Sequence, residues 1–485
     1  MEKNERLQQI DKVIGNGPFK DSWASLCTHN TPKWLRDGKF GIFIHWGLYS
    51  VPAFGSEWYP RHVYRKDSPE YRYHVNKYGP LDKFGYKDFI PLFKAEQFEP
   101  KKWVELFKKS GAKYVAPVGE HHDGFQMYKS GLSPWNAADM GPQRDILGEL
   151  KKEIEDAGMV FGSSSHRAEH WWFFNCGRNM KESDVNDEKY VGIYGPAVGP
   201  SRDWLDLYDN PPDQEFLEDW LMRTCELIDN YEPQMIYFDW WVQNYAFKPY
   251  IKKAAAYYYN RSEEWKKEVA IGGKFDAFVY LSAVNEIERG QVSGISPDFW
   301  QCDTSVAKNS WCYTVDNEYK TSRELIEDLV DIVSKNGALL LNIGPKADGT
   351  IPAEDEKILR DIGKWLETNG EAIYYTTYWK TFGEGPTNVP EGHFTDTKRE
   401  EYTTEDIRFT CRADTIYAIV MRWPDDGCVH IKSIGNDYRY LKTSIRSVEI
   451  LGYQIAPLYE FRETLDITAK LEPVDAPVVI KIRID

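Results

Sequence analysis

From about residue 31 to residue 375 the apolar positions follow a repeating beat. A short apolar run is followed by a loop dense in polar and aromatic residues, then by an amphipathic stretch. The runs are Phe40 to Ile44, Ala112 to Val118, Met159 to Gly162, Met235 to Phe238, Val269 to Lys274 and Ala338 to Ile343. Short apolar runs without alternation mark strands buried on both faces. Between them, apolar residues at helical spacing predict helices over 100–110, 144–157, 214–230, 249–267, 322–335 and 354–368. Strand, loop and helix recur about eight times. The fold class is therefore α/β, a (β/α)8-type TIM barrel over 31–375, with its chemistry at the C-terminal strand ends. This span exceeds the ~250 residues typical of such barrels, and insertions at 60–90 and 175–212 account for the excess.

The flanks read differently. Leu7, Ile10, Val13 and Ile14 have helical spacing, so residues 1–30 are expected to form a leader packed on the barrel. After Trp379 the helical pattern stops. Short β-rich runs at 407–411, 415–421, 428–431 and 478–482, separated by turn residues, predict a C-terminal antiparallel β-sandwich over 380–485.

Composition narrows the function classes. The 485 residues carry a net charge of −16, which argues against a nucleic-acid backbone or an anionic membrane as partner. No apolar run reaches membrane-spanning length. The seven cysteines are scattered without a C-x-x-C pair, as expected for free thiols in a reducing cytosol. Met1 to Gly17 lacks an apolar signal core, so the expected location is cytoplasmic, or secreted or periplasmic if a signal peptide was removed. A homo-oligomer is left open. Aromatic residues make up 15% of the chain, which fits either a large core or sugar-binding faces.

Candidate chemistry gathers at the strand ends. Met235-Ile236-Tyr237-Phe238 ends abruptly in Asp239, followed by Trp240 and Trp241. Taken alone, an acid there is more often a helix cap than a nucleophile. Other strand ends and rim loops supply His45 and Trp46, Glu57 and Trp58, His121 and His122, Trp135, Glu169 to Trp172, and Glu288. A metal site ranks low, because adjacent residues seldom bind one ion together and no i,i+4 His pair is present. No Gly-rich phosphate loop and no G-x-S-x-G elbow appears. Two carboxylates among neutral donors and aromatic rings suit glycoside hydrolysis. A sugar-binding lectin on a catalytically dead barrel is the non-enzyme alternative, and two acids in place count against it.

Several motifs carry a family resemblance. Phe40 to Gly47, Ser56-Glu57-Trp58-Tyr59, His121 to Phe125, Trp135-Asn136, Gly141-Pro142, Arg144-Asp145, Asn336-Gly337-Ala338 through Pro352, and Asn369 to Tyr374 resemble the α-L-fucosidases of glycoside hydrolase family 29. The resemblance runs from residue 32 to about 380. It implies a barrel followed by a β-sandwich, a retaining mechanism, no metal or other cofactor, and a fucosylated oligosaccharide or glycoconjugate as substrate. A related α-glycosidase acting on a sugar such as L-galactose is the second enzyme reading. By the resemblance, Asp239 is the nucleophile, and His45, Glu57, Trp58, His121 and His122 hold the sugar. Trp171 and Trp240 are added as sugar contacts. Where the family often has an Arg, this chain has Gly272-Gly273-Lys274. Glu288 is chosen as acid/base from its context, with Glu286 the rival on the same side of an extended segment.

Overall fold

The computed structural model describes residues 2–199, 210–435, 444–472 and 474–485. Eight parallel strands close a barrel in sequence order. They are β1 (Phe40–Ile44), β2 (Tyr114–Glu120), β3 (Val160–Ser165), β4 (Met235–Phe238), β5 (Ala270–Lys274), β6 (Val284–Glu288), β7 (Trp300–Ser305) and β8 (Gly337–Ile343). β1 completes the ring by pairing with both β2 and β8, so that Ile42 lies opposite Val115 and Leu341. Every residue of β1, β2, β4 and β8 is buried, which explains why these strands read as apolar runs rather than as alternating patterns.

The helices Pro100–Lys109, Ile146–Asp156, Gln214–Tyr231, Lys248–Trp265, Ser322–Ser334 and Ala353–Asn369 pack around the barrel close to their predicted spans. Local signals start several of them. The Asp145 and Asp213 carboxylates accept from the Gly148 and Phe216 N–H groups, and Thr321 with Glu324 forms a capping box. The eightfold strand–helix beat is corrected at two places. Residues 275–283 and 289–299 connect β5 to β6 and β6 to β7 without a helix. These connections are short, and the second is broken by Gly290, Gly294 and Pro297.

Helix Lys3–Asn16 buries Ile10 and Ile14, and the Asn260 side chain accepts from Phe19 N at 2.9 Å and donates to Phe19 O at 2.8 Å. His29 stacks on Tyr259 with ring centroids 3.7 Å apart.

The C-terminal part is antiparallel, as expected. Strands β9 (Thr377–Glu384), β10 (Ile407–Arg412), β11 (Thr415–Val420), β12 (Cys428–Ile431), β13 (Ile445–Ile450), β14 (Leu458–Phe461), β15 (Leu465–Thr468) and β16 (Val478–Ile484) form two sheets. Their orders are β13-β16-β11-β10-β9 and β12-β15-β14. Ile416, Ala418 and Val420 face the smaller sheet across a core shared with Val429, Ile431 and Ile467. The alternate residues Tyr417 and Ile419 instead join the core of the barrel. Burial of both faces is why β11 reads as a continuous apolar run, whereas β9 is half-exposed and left no such signal. No described helix is long and apolar enough to cross a membrane. All seven cysteines are free.

Candidate active site

All eight strand ends converge on one cavity of about 440 Å³ at the C-terminal mouth of the barrel or on the side chains that support it. His45 follows β1, His121 and His122 follow β2, His166 follows β3 and Asp239 follows β4. Lys274 ends β5, Glu288 ends β6, Asp303 lies in β7, and Asn342 in β8 braces the mouth from below. The register makes neighbours of them. Phe238 lies opposite Gly273, which brings the next residues, Asp239 and Lys274, side by side, and Glu288 lies opposite Asp303.

Lys274 is the hub. Its Nζ donates to Asp239 Oδ1 at 2.7 Å and to Glu288 Oε2 at 2.6 Å, and lies 3.7 Å from Asp303 Oδ2. The two acceptor oxygens are therefore no farther apart than the sum of the first two distances, 5.3 Å. Burial pushes the Asp239 carboxyl up, but Lys274, His166 and His122 outweigh it and hold the group well below its ordinary range. Asp239 also accepts from His166 Nδ1 at 2.7 Å and from the Trp240 N–H at 2.7 Å. His166 Nε2 meets Ser164 Oγ at 2.8 Å, so with the Ser164 hydroxyl donating, His166 carries its proton on Nδ1, toward Asp239. Glu288 behaves oppositely. Burial raises it to about 7, opposed by Lys274 and assisted by Asp303 and Asp239. Of the two acids that accept hydrogen bonds from the Lys274 ammonium, Asp239 is thus held ionised and Glu288 is half-protonated near neutral pH.

Glu286, the rival acid, points into the barrel one layer deeper. It is fully buried, accepts from Gln301 Nε2 at 2.9 and 3.1 Å, and lies outside the lining of the cavity. Burial and then Asp303 raise its carboxyl well above the ordinary range, so it is neutral. Gly272 makes room for it, since a Cβ there would lie 2.3 Å from Glu286 Oε1.

The remaining walls are neutral donors, acceptors and rings. Burial lowers His45 and His121 well below the ordinary range and His122 to about 3, so all three are uncharged at neutral pH. His45 Nδ1 and its backbone N–H both reach Asn342 Oδ1, at 2.7 and 3.0 Å. His122 Nδ1 donates to His166 O at 2.9 Å, which leaves Nε2 unprotonated and 3.5 Å from Asp239 Oδ2. His121 Nδ1 is buried without a hydrogen-bond partner among the described residues. Glu57 Oε2 accepts from the Trp311 N–H at 3.0 Å, and burial raises its carboxyl. Trp58 and Trp240 line the cavity.

Trp171 does not line it, and that expectation is corrected. Its ring packs on Phe216 and its Nε1 donates to Asn210 O at 2.9 Å, away from the cavity. The 3-10 turn Arg167–Trp171 swings the next residue, Trp172, onto the wall instead, with the Arg61 guanidinium 4.6 Å from its ring. Glu169 and His170 also stay outside. His170 Nδ1 bonds His122 O at 2.9 Å, and Glu169 is wholly buried with its carboxyl raised by burial. Sequence reasoning left out Lys274, His166 and Trp172 as contacts. Lys274 was visible as a departure from the family's Arg, and His166 as the polar end of β3.

Two groups have metal-like spacing. His45, His121 and His166, and also His122, His166 and Asp239, each bring one donor atom from every member within 4.8 Å of the others. His166, however, belongs to both groups and already spends both ring nitrogens on Asp239 and Ser164. Such internal pairing does not resemble an open metal site, whose ligands turn their outer nitrogens to supporting groups.

The alpha-L-fucosidase family model matches residues 6–371, and the alpha-L-fucosidase C-terminal domain model matches residues 399–478. The chain belongs to the alpha-L-fucosidase family. Tissue alpha-L-fucosidase of Rattus norvegicus is 32% identical over 426 residues, covering 86% of this chain and 81% of that protein. Its Homo sapiens counterpart is 30% identical over 447 residues, covering 90% and 84%. A crystal structure of Thermotoga maritima alpha-fucosidase with a mechanism-based inhibitor superposes with a TM-score of 0.75 at 28% identity, covering 96% of this chain and 100% of that one. A GH29 alpha-L-fucosidase from Bacteroides thetaiotaomicron, solved as a trapped covalent intermediate, shares the fold with a TM-score of 0.67 at 19% identity. As a member of this family, the chain is a glycoside hydrolase with alpha-L-fucosidase activity.

Proposed function

We propose that this fucosidase is a retaining exo-enzyme that removes terminal α-L-fucosyl residues from glycans, with Asp239 as nucleophile and Glu288 as acid/base. The observation that carries the reading is the shared ammonium, which keeps the nearest oxygens of the two acids within 5.3 Å. Retaining glycosidases place their two carboxyl groups ~5–5.5 Å apart, whereas inverting enzymes leave ~6.5–9.5 Å for an intervening water.

Hydrogen bonding supports the division of labour. A carboxylate offers about four lone-pair sites. Lys274 and the Trp240 N–H occupy those of Asp239 Oδ1, and His166 occupies one on Oδ2. The free lone pair on Oδ2 is the one available to attack the anomeric carbon. In Glu288, Lys274 takes Oε2, so Oε1 carries the acid proton to the glycosidic oxygen. After the aglycone leaves, the same Glu288 carboxylate takes a proton from water, which releases fucose from Asp239.

The neutral histidines suit the sugar. His122 Nε2 accepts a hydroxyl hydrogen, and His121 Nδ1 and the His45 ring offer further partners. Trp58, Trp172 and Trp240 cover the apolar C–H faces.

Proton NMR of an aryl α-L-fucoside during turnover tests this reading. The α-anomer of free L-fucose should form first and then mutarotate. First appearance of the β-anomer would show inversion and overturn the assignment of Asp239 as nucleophile.

A further inference from the structure

The segment joining β9 to β10 belongs to the chain after the barrel, yet it is built into the mouth of the barrel. Its anchor is the strand end that carries Glu288. The Glu288 N–H donates to His393 Nδ1 at 3.0 Å, and Glu288 O accepts from the Phe394 N–H at 2.9 Å. Arg289 O accepts from both the Thr395 and Asp396 N–H groups, at 2.7 and 2.9 Å. The Asp396 carboxylate is tied down by Lys320 Nζ at 2.6 Å, Thr304 Oγ1 at 2.8 Å and Arg289 at 3.3 Å. Contact is so close that a Cβ at Gly290 would lie 1.8 Å from Gly392 O. The segment is therefore fixed by backbone pairing and a buried ion cluster.

What it presents to the cavity is Phe394, which lines the wall yet stays 47% exposed. Its backbone has φ +56°, in the left-handed region that bulky residues rarely adopt. A second rim residue, Phe275, with φ +50° and also lining the cavity, stacks on His393 with centroids 4.4 Å apart. Two aromatic side chains held in an unfavourable backbone conformation at one edge of a cavity suggest a binding role. Position decides which part of the substrate they meet. Glu288 hands its proton to the glycosidic oxygen, so the group beyond that oxygen must lie on the Glu288 side of the mouth, where Phe394 stands.

We propose that Phe394 is the platform for the leaving-group sugar, stacking on the apolar face of a pyranose linked to fucose, and that the chain after the barrel thereby sets aglycone preference. This rests on the assignment of Glu288 as acid/base. The test compares Phe394→Ala and Phe394→Trp with wild type on α-L-fucosyl fluoride, which has no leaving sugar, and on α1,2-, α1,3-, α1,4- and α1,6-fucosylated oligosaccharides. Phe394→Ala should leave kcat/KM on the fluoride unchanged and lower it about 3- to 10-fold on at least one oligosaccharide, the scale of one lost aromatic face. Phe394→Trp should retain that oligosaccharide activity. In the same variants, added lactose should compete less well with water for the fucosyl-enzyme in Phe394→Ala than in wild type. An equal fall on the fluoride and all oligosaccharides, or no fall on any of them, would overturn the proposal. A wild-type enzyme that hydrolyses no α-L-fucosyl substrate would overturn the fucosidase reading itself.

Discussion

The Lys274 ammonium donates a hydrogen bond of 2.6 Å to Glu288, the proposed acid, which must be neutral to protonate a leaving oxygen. The same ammonium holds Asp239 ionised. Lys274 thus lowers both carboxyls, which matters differently to each, because the proposed mechanism uses Asp239 as the anion and Glu288 as the acid. Lys274→Met should move both limbs of the kcat/KM–pH profile to higher pH, because both acids lose a stabilising positive charge. Lys274→Arg should keep both limbs near their wild-type positions. Unmoved limbs in Lys274→Met would show that the ammonium does not set them.

The pH profile itself follows from the two carboxyls. In the proposed mechanism the competent form has Asp239 ionised and Glu288 protonated. Asp239 is held well below its ordinary range, so it stays ionised through mildly acidic pH. Glu288 titrates at about 7, so activity on oligosaccharides should fall as pH rises through that value. Glu288→Ala should remove this basic limb. It should also cost about 10²–10⁴-fold on substrates with poor leaving groups and much less on activated aryl fucosides. If Glu286→Ala showed that pattern and Glu288→Ala did not, the roles would be exchanged.

Replacing His45, His121 or His122 with Ala should each cost ~1–3 kcal/mol of transition-state binding, read as kcat/KM, because hydroxyls and buried partners are left unpaired. Burial holds all three rings neutral, so none should add a limb to the profile near neutral pH, where an ordinary histidine would titrate. Unchanged kcat/KM in all three variants would make them structural.

Exhaustive dialysis against EDTA should leave activity intact, since both ring nitrogens of His166 already serve hydrogen bonds within the protein, to Asp239 and Ser164. A loss of activity restored by zinc or calcium would contradict this.

Much of the site was legible because a barrel forces it to be. An apolar run that stops at a polar residue marks a strand end, and strand ends share one mouth, so the sequence places His45, His121, His122 and Asp239 together, whereas Glu288 ends no apolar run and was chosen from its context. Other features depend on geometry that periodicity does not carry. Trp171 and Trp172 are adjacent, and only the local 3-10 turn decides which ring faces the cavity. Glu286 and Glu288 share a face of β6, and only depth in the barrel separates a buried neutral acid from a rim acid. Lys274 looked like the tail of a strand, although its ammonium joins the two acids. Phe394 gave no signal, because it reaches the mouth from a segment more than a hundred residues after Glu288 in the chain.

The assignment of Asp239 as nucleophile is tested by removing it and supplying a substitute. Asp239→Gly should lose activity on an aryl α-L-fucoside on the order of 10⁴-fold or more, the scale of removing a covalent nucleophile. Azide should restore part of it, with β-L-fucosyl azide as the product, because the small anion fills the space left by the carboxylate and attacks the same face. Near wild-type turnover in Asp239→Gly, or rescue that yields the α-azide, would contradict the account.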